Sequence, residues 1–271
     1  MQQPDDLAVV RVRHPLKLRL LRVARVQAVT PHLRRVTLSG EDLRDFASAS
    51  FDDHVKVFFP APGQDRPVLP ELGANGLSYA ADAPRPVVRD FTPRRFDPDA
   101  LELDIEFALH DAGPATAWAM QAQVGQYLGI GGPRGSRVIP PGFDWHLLIG
   151  DDTALPAIAR RVQELPATTL AIAVVEVADA SARIDFASAA TLQILWCYRN
   201  ASSANGDELL RAVSELPLPT GEGYVWAAGE SSAIRAVRQH LLGEGGIDKS
   251  RLHASGYWKR GAQDVHDHFE D

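Results

Sequence analysis

One cysteine is all the chain offers. Cys197 rules out internal disulfides, and a single chain can build neither a Cys-ligated iron–sulfur cluster nor a tetrathiolate zinc site. It stands in "QILWCYR", an apolar strand-like run, so a buried structural thiol and a cytoplasmic location are expected. No uncharged apolar stretch approaches a membrane span or the core of a secretion signal, so neither is expected. Positive charge is also short, with 28 Lys and Arg against 35 Asp and Glu and a net charge of −7, which argues against a nucleic-acid binder. There is no Gly-X-Gly-X-X-Gly fingerprint; "GIGGPRGS" follows a barrel-type strand and fails the spacing. The Gly-X-Ser-X-Gly elbow of serine hydrolases is missing too. His266 and His268 stand among carboxylates in the tail "DVHDHFED", which is expected to fray, so no metal site is expected there. One absence is local: Arg11 to Arg35 holds eight Lys and Arg and no acidic residue. Within it, "RVRHPLKLRLLRV" alternates charge with apolar residues, the pattern of a strand with one wet face.

What is there falls into two rhythms. The chain has 271 residues, 45% apolar and 23% charged, enough for two ordinary domains. "RVTLSG", "HVKVFFP", "LELDIEFALH" and "QYLGIGG" are short β-rich runs separated by Pro, Gly and Asp clusters. In 101–110, Leu101, Leu103, Ile105, Phe107 and Leu109 alternate with Glu102, Asp104, Glu106, Ala108 and His110. Such spacing predicts a closed antiparallel barrel. After "VIPPGFDW" the pattern changes to apolar strands ("HLLIG", "TTLAIAVVEV", "LQILWCYR", "YVWAAG", "RLHASGYW") alternating with helix-period stretches from Thr153, Asp207 and Ser231. Leu155, Ile158, Val162 and Leu165 share one helix face, with Pro156 in its first turn. This predicts a doubly wound parallel sheet. The expected division is residues 1–142, the barrel, and residues 143–271, the α/β domain.

Three groups of residues could carry chemistry. Arg89, Phe91 and Thr92 stand at i, i+2 and i+3, so one strand end could offer a cation, a flat ring and a hydroxyl. "HDAGPATAWA" follows, where Gly113, Ala115 and Ala117 would let backbone N–H groups and a helix N-terminus approach a diphosphate, with Thr116 donating its hydroxyl. In the second half, Asp151, Asp152 and Thr153 could cap a helix, while Gly229 permits close approach at a strand exit and Ser231 or Ser232 could meet a phosphate. Arg183 is the lone candidate for a nucleotide 2′-phosphate.

Seven strings occur in one order along nearly the whole chain: "FDDHVKVFFP", "RDFTPRRFDP", "LDIEFALHDAGPATAWA", "GIGGPRGS", "GDDTALPAIARR", "AAGESSAIRAVR" and "SRLHASGYWKRG". Together they resemble the siderophore-interacting protein family, NAD(P)H-dependent ferric-siderophore reductases that hold FAD, within the ferredoxin–NADP reductase-like superfamily. The resemblance implies a Greek-key FAD-binding barrel followed by an NAD(P)-binding domain. It implies that Arg89, Phe91 and Thr92 match the Arg-X-Tyr-Thr flavin motif, with Phe where the family usually has Tyr. The stacking face is kept and the phenolic hydrogen bond lost. His110, Ala115, Thr116 and Trp118 match the segment for the FAD diphosphate and adenosine end. Asp151, Thr153, Gly229, Glu230 and Ser231 match the nicotinamide-nucleotide side. Basic residues at Lys56, Arg134 and Arg251, joined by Lys259 and Arg260 after Tyr257-Trp258, would line a cleft for an anionic ferric siderophore.

The expected donor is NADPH or NADH and the expected state a monomer. No side chain need act as a general acid or base, because flavin chemistry couples a two-electron donor to a one-electron acceptor. Two rivals are a general NAD(P)H:flavin or ferric-chelate reductase and a siderophore-binding module without turnover.

Overall fold

The computed structural model describes residues 7–73, 76–109, 113–199 and 207–261, together with the backbone of 267–268. The chain divides into two compact units. One spans Val9–Val138; the other takes in Ile139 onward together with the short segment before Val9. The break between these compact units comes at 138/139.

The first unit contains β1 (Val10–Arg13), β2 (Leu18–Thr30), β3 (Leu33–Ser39), β4 (Val55–Phe59), β5 (Glu71–Gly73), β6 (Gly76–Ser78), β7 (Val87–Phe91), β8 (Pro93–Asp97), β9 (Glu102–Ala108), α1 (Pro114–Gln121), β10 (Tyr127–Gly131) and β11 (Gly135–Val138). Seven strands form one antiparallel sheet in the order β7-β4-β10-β2-β3-β9-β8. Its two edge strands, β7 and β8, are consecutive in the chain with only Thr92 between them. A single residue can bridge the two edges only if the sheet rolls up, so the covalent chain itself closes the barrel. Leu21, Val23, Val36, Leu38, Val55, Val57, Phe59, Leu103, Ile105 and Phe107 fill the interior, and α1 adds Trp118 and Ala119 to the same core.

The alternation in β9 holds for Leu103, Ile105 and Phe107, but the opposite face is not wet. Asp104 and Glu106 are each 3% exposed. Arg95 Nε donates to Asp104 at 2.8 Å, Thr37 Oγ1 donates to its other oxygen at 2.7 Å, and Arg35 Nε donates to Glu106 at 2.9 Å. Leu101 lies in the preceding turn at φ 51°, outside the strand in which the sequence alternation put it. The basic run is also only partly solvated. Arg19 is buried and donates to the carbonyls of Asp42 and Gly132 and to the Asp45 carboxylate.

The second unit contains β12 (Trp145–Asp151), α2 (Leu155–Glu164), β13 (Leu170–Val177), β14 (Thr191–Tyr198), α3 (Asp207–Ser214), β15 (Gly223–Glu230), α4 (Ser231–Leu242), β16 (Leu252–Trp258) and β17 (Asp267–His268). The strand order is β14-β13-β12-β15-β16-β17, parallel except for β17. Helices α3 and α4 bury Leu209, Val213, Ile234, Val237 and Leu241 against Leu147, Ile149, Val225 and Ala227. The buried face of α2 lies outside that cluster and packs on β12 and β13. Every residue of β12 is buried, as a central strand covered on both faces requires. The tail is not wholly frayed: Asp267 and His268 pair with Gly256 and Ser255.

Candidate functional site

In the first unit the flavin-motif residues converge on one end of the barrel. Register places Arg89 opposite Val57 and Phe91 opposite Val55, so both share the face that turns toward the core. Phe91 is half-buried and leans on Phe107 at 4.5 Å between centroids and on Phe59 at 6.2 Å. Trp118 of α1 completes the cluster, 5.8 Å from Phe107 and 5.7 Å from Phe59. Arg89 Nη1 donates to the Val88 carbonyl at 2.7 Å. Thr92 is buried at the β7–β8 corner.

Helix α1 begins beside this cluster. Its N-cap is Gly113, which has no side chain to cap with, and Pro114 takes the first helical position. The first intrahelical bond is donated by Ala117 to the Gly113 carbonyl at 2.8 Å. The amides of Ala115 and Thr116 therefore have no intrahelical acceptor and sit at the positive end of the helix. The buried Trp118 Nε1 also lacks a partner among the described residues. An aromatic wall, an indole donor without a partner among the described residues and uncapped amides at the start of the helix that packs on β7 fit a group with a flat ring and a diphosphate. FAD is such a group. His110 lies outside the described residues.

In the second unit the strand order reverses between β12 and β15, and ligands of open α/β sheets bind beyond the carboxyl ends of the strands at that point. Those ends are Gly150-Asp151 and Gly229-Glu230. Asp151 does not cap α2 as the sequence suggested; Ala154 is the N-cap residue. Its Oδ1 accepts from the Thr153 amide at 2.9 Å and from the Thr153 hydroxyl. Its Oδ2 accepts from the Glu230 amide at 2.9 Å and from Trp258 Nε1 at 2.8 Å. Burial, with the Asp152 charge second, pushes its pKa above the usual carboxylate value. Gly229 has φ 151°, and a Cβ there would lie 2.7 Å from Asp151 Oδ2, so only glycine lets the carboxylate in. The ladder shifts register at Gly229/Glu230, a bulge beside the rim.

Glu230 is the cap of α4: its Oε2 accepts from the amides of Ser232 at 2.7 Å and Ala233 at 3.0 Å, and from the Ser232 hydroxyl. Burial alone would raise the Glu230 pKa, but these donors and the Arg260 amide outweigh it and hold it below the ordinary value. Ser231 Oγ donates to the Trp258 carbonyl at 3.1 Å. Asp152 is held by Arg199 through two bonds, 3.0 and 2.8 Å, and Arg199 Nε lies 3.4 Å from Glu176. Arg183 is placed over the Tyr198 ring at 5.1 Å.

The expected substrate cations scatter more widely. Lys56 bonds both oxygens of Asp90, and Arg134 is exposed on the turn after β10. Lys259 and Arg260 are exposed just past the carboxyl end of β16. Arg251 does not join them. It lies in the turn before β16, bonded to Glu222 at 3.0 Å and stacked over Phe143 at 5.0 Å. The intervening strand puts it roughly 25 Å from Lys259 at the usual rise per residue. Sequence reading missed Asp90, hidden as the variable letter of the flavin motif. It also missed Arg199, whose role depends on a cross-strand neighbour; only the alternation of β4 and β7 could have pointed to the first.

Comparison with known proteins adds to this geometry. Residues 22–137 match the siderophore-interacting FAD-binding domain, and residues 143–261 match the domain described as siderophore-interacting protein. The NADPH-dependent ferric-chelate reductase of Escherichia coli is 34% identical over 253 residues, covering 92% of this chain and 95% of that protein. The ferric vibriobactin reductase ViuB of Vibrio cholerae is 34% identical over 255 residues, covering 93% of each. A solved structure, a siderophore utilization protein from T. fusca, shares 39% identity with a TM-score of 0.88, covering 97% of this chain and 100% of that one.

Proposed function

Since the chain belongs to the siderophore-interacting protein family, we propose that it is an NAD(P)H-dependent ferric-siderophore reductase that holds FAD. The single observation that carries the cofactor assignment is the convergence of Arg89, the Phe91 cluster and the uncapped start of α1. When bound, FAD accepts hydride from the reduced nicotinamide and passes electrons on singly, as chelated Fe(III) requires. The residues supply binding and orientation. Phe91, braced by Phe107 and Phe59, offers its ring to the isoalloxazine. Arg89 and the amides of Ala115 and Thr116 neutralise the diphosphate, and Trp118 Nε1 offers a donor. His110 belongs to the same assignment by resemblance.

In the second unit, the Gly229/Glu230 bulge, with Gly229 admitting the Asp151 carboxylate, shapes the rim for the nicotinamide nucleotide together with Thr153, Glu230 and Ser231. In the first unit, Lys56 and Arg134 attract the anionic oxygens of the chelate; Lys259 and Arg260 are exposed cations of the second unit, assigned to the same substrate by resemblance. Arg251 is not among these contacts. No proton-transferring side chain is required. Reduction to Fe(II) weakens binding by hard oxygen ligands and releases the metal, which is the substrate rather than a resident cofactor.

The test is flavin content. Arg89→Ala should weaken FAD about ten- to a hundredfold, the usual worth of a charge-assisted contact. Purified protein carrying less flavin, read by visible absorbance, is the expected result. A full complement of flavin in that variant would contradict the assignment.

A further inference from the structure

Lys56 has one cross-strand side-chain neighbour. On β10 its partner is Gly131, which offers no side chain, and on β7 its partner is Asp90. Both carboxylate oxygens of Asp90 lie within bonding distance of Lys56 Nζ, at 3.0 and 3.3 Å. The lysine side chain is 54% exposed and the aspartate 20%, so the cation reaches water while its counter-ion sits deeper. Asp90 is also fixed in place, between Arg89 and the core-packed Phe91 on a ladder strand. Opposite charges directly across an antiparallel pair attract, and here the lysine end of the pair is the more exposed.

We infer that Asp90 is a specificity-determining residue: it screens Lys56, so the protein favours ferric chelates of low charge, the tris-hydroxamate class, over trianionic tris-catecholates. This rests on the reading of Lys56 as a substrate contact. A trianion must approach both a lysine that is already satisfied and a fixed carboxylate that repels it. A neutral chelate can accept a hydrogen bond from Lys56 without meeting that repulsion. Arg134, exposed and unpaired among the described residues, attracts a trianion more than a neutral chelate, so Asp90 reduces a preference for charge that Arg134 by itself would set.

Binding of redox-inert gallium(III) complexes separates recognition from reduction potential. The full-length, flavin-loaded protein is titrated with gallium(III) desferrichrome, which is neutral, and gallium(III) enterobactin, which is trianionic. Asp90→Asn should shift the ratio of the two Kd values toward the trianion by about fivefold, the scale of an exposed ion pair. Asp90→Glu should keep the wild-type ratio, and Asp90→Ser serves as a second neutral variant if the amide disturbs flavin binding. Combined with Lys56→Gln, Asp90→Asn should give a smaller shift than in the Lys56 background, because only the direct repulsion by the carboxylate is then relieved. If Lys56→Gln weakens both complexes while the neutral Asp90 variants leave the ratio unmoved, the screening role is overturned and the substrate reading stands. If Lys56→Gln changes neither Kd, the premise itself has failed.

Discussion

The imidazole of His146 is 0% exposed, with Phe143 and Tyr224 around its ring and Arg161 Nη2 3.5 Å from its Nε2. Burial first, and the Arg161 charge second, lower its pKa from 6.5 to about 3. The folded protein therefore binds the imidazole neutral while the unfolded chain protonates it. The stability this contributes is complete above pH 6.5 and is lost as pH falls toward 3, at about 1.4 kcal/mol per unit inside that window. His146→Phe should flatten the fall of the urea midpoint between about pH 7 and 5; an unchanged slope would assign the acid sensitivity elsewhere. Nothing in "DWHLLIG" distinguishes this histidine from a surface one, because its burial depends on Phe143, Tyr224 and Arg161 of α2, which converge on it. Arg251 makes the converse point. Its place in a family-like string suggested a substrate contact, while its partners are Glu222 and Phe143. Arg251→Ala should cost about 1 kcal/mol of stability. If its bonds to Glu222 and Phe143 are its whole role, the apparent KM for a ferric siderophore should stay within about twofold; a larger rise would restore Arg251 to the substrate contacts.

Strands and helices were legible wherever burial follows one period. Leu103, Ile105 and Phe107 alternate into the barrel, and Leu155, Ile158 and Val162 line one side of α2. The rim was less legible, because short polar residues in "GDDTALP" serve capping and long-range bonding equally well. Asp151 turned out to tie three strand ends together: its own, the Gly229/Glu230 bulge and the Trp258 indole. Four donors surround its two oxygens, so an amide in its place can satisfy only one side. Asp151→Asn should slow reduction of bound flavin by NADPH at least about tenfold with flavin content unchanged. Since part of that effect passes through the indole, Asp151→Asn and Trp258→Phe should be non-additive in stopped-flow rates. Strict additivity would mean that the carboxylate and the indole act separately.

At the scale of the molecule, the two units differ in which titratable groups are shifted, although the raised pKa of Asp151 opposes His146 within the second unit. His146 lies in the second. In the first, Glu102 is held below its ordinary pKa chiefly by Arg25, Asp45 chiefly by Lys17 and Asp97 chiefly by the Ala100 amide. Their contribution is fully present above the unfolded values of 4.5 and 3.8 and is lost as pH falls below them through the lower folded values. Four of the five tryptophans, Trp145, Trp196, Trp226 and Trp258, belong to the second unit, and the flavin motif belongs to the first. Between about pH 7.5 and 5.5 the urea midpoint seen by tryptophan fluorescence should therefore drop further than the midpoint for flavin release. Equal drops would show that the units unfold as one. The change of rhythm at "VIPPGFDW" marks a break without saying which side each residue packs on. Thr92 closes the barrel and ends the cofactor motif in the same step. A lineage carrying this fold can therefore retune the pocket by exchanging letters there, but an added or deleted residue would unroll the container along with its contents. Length at that joint should be the least negotiable property of the chain.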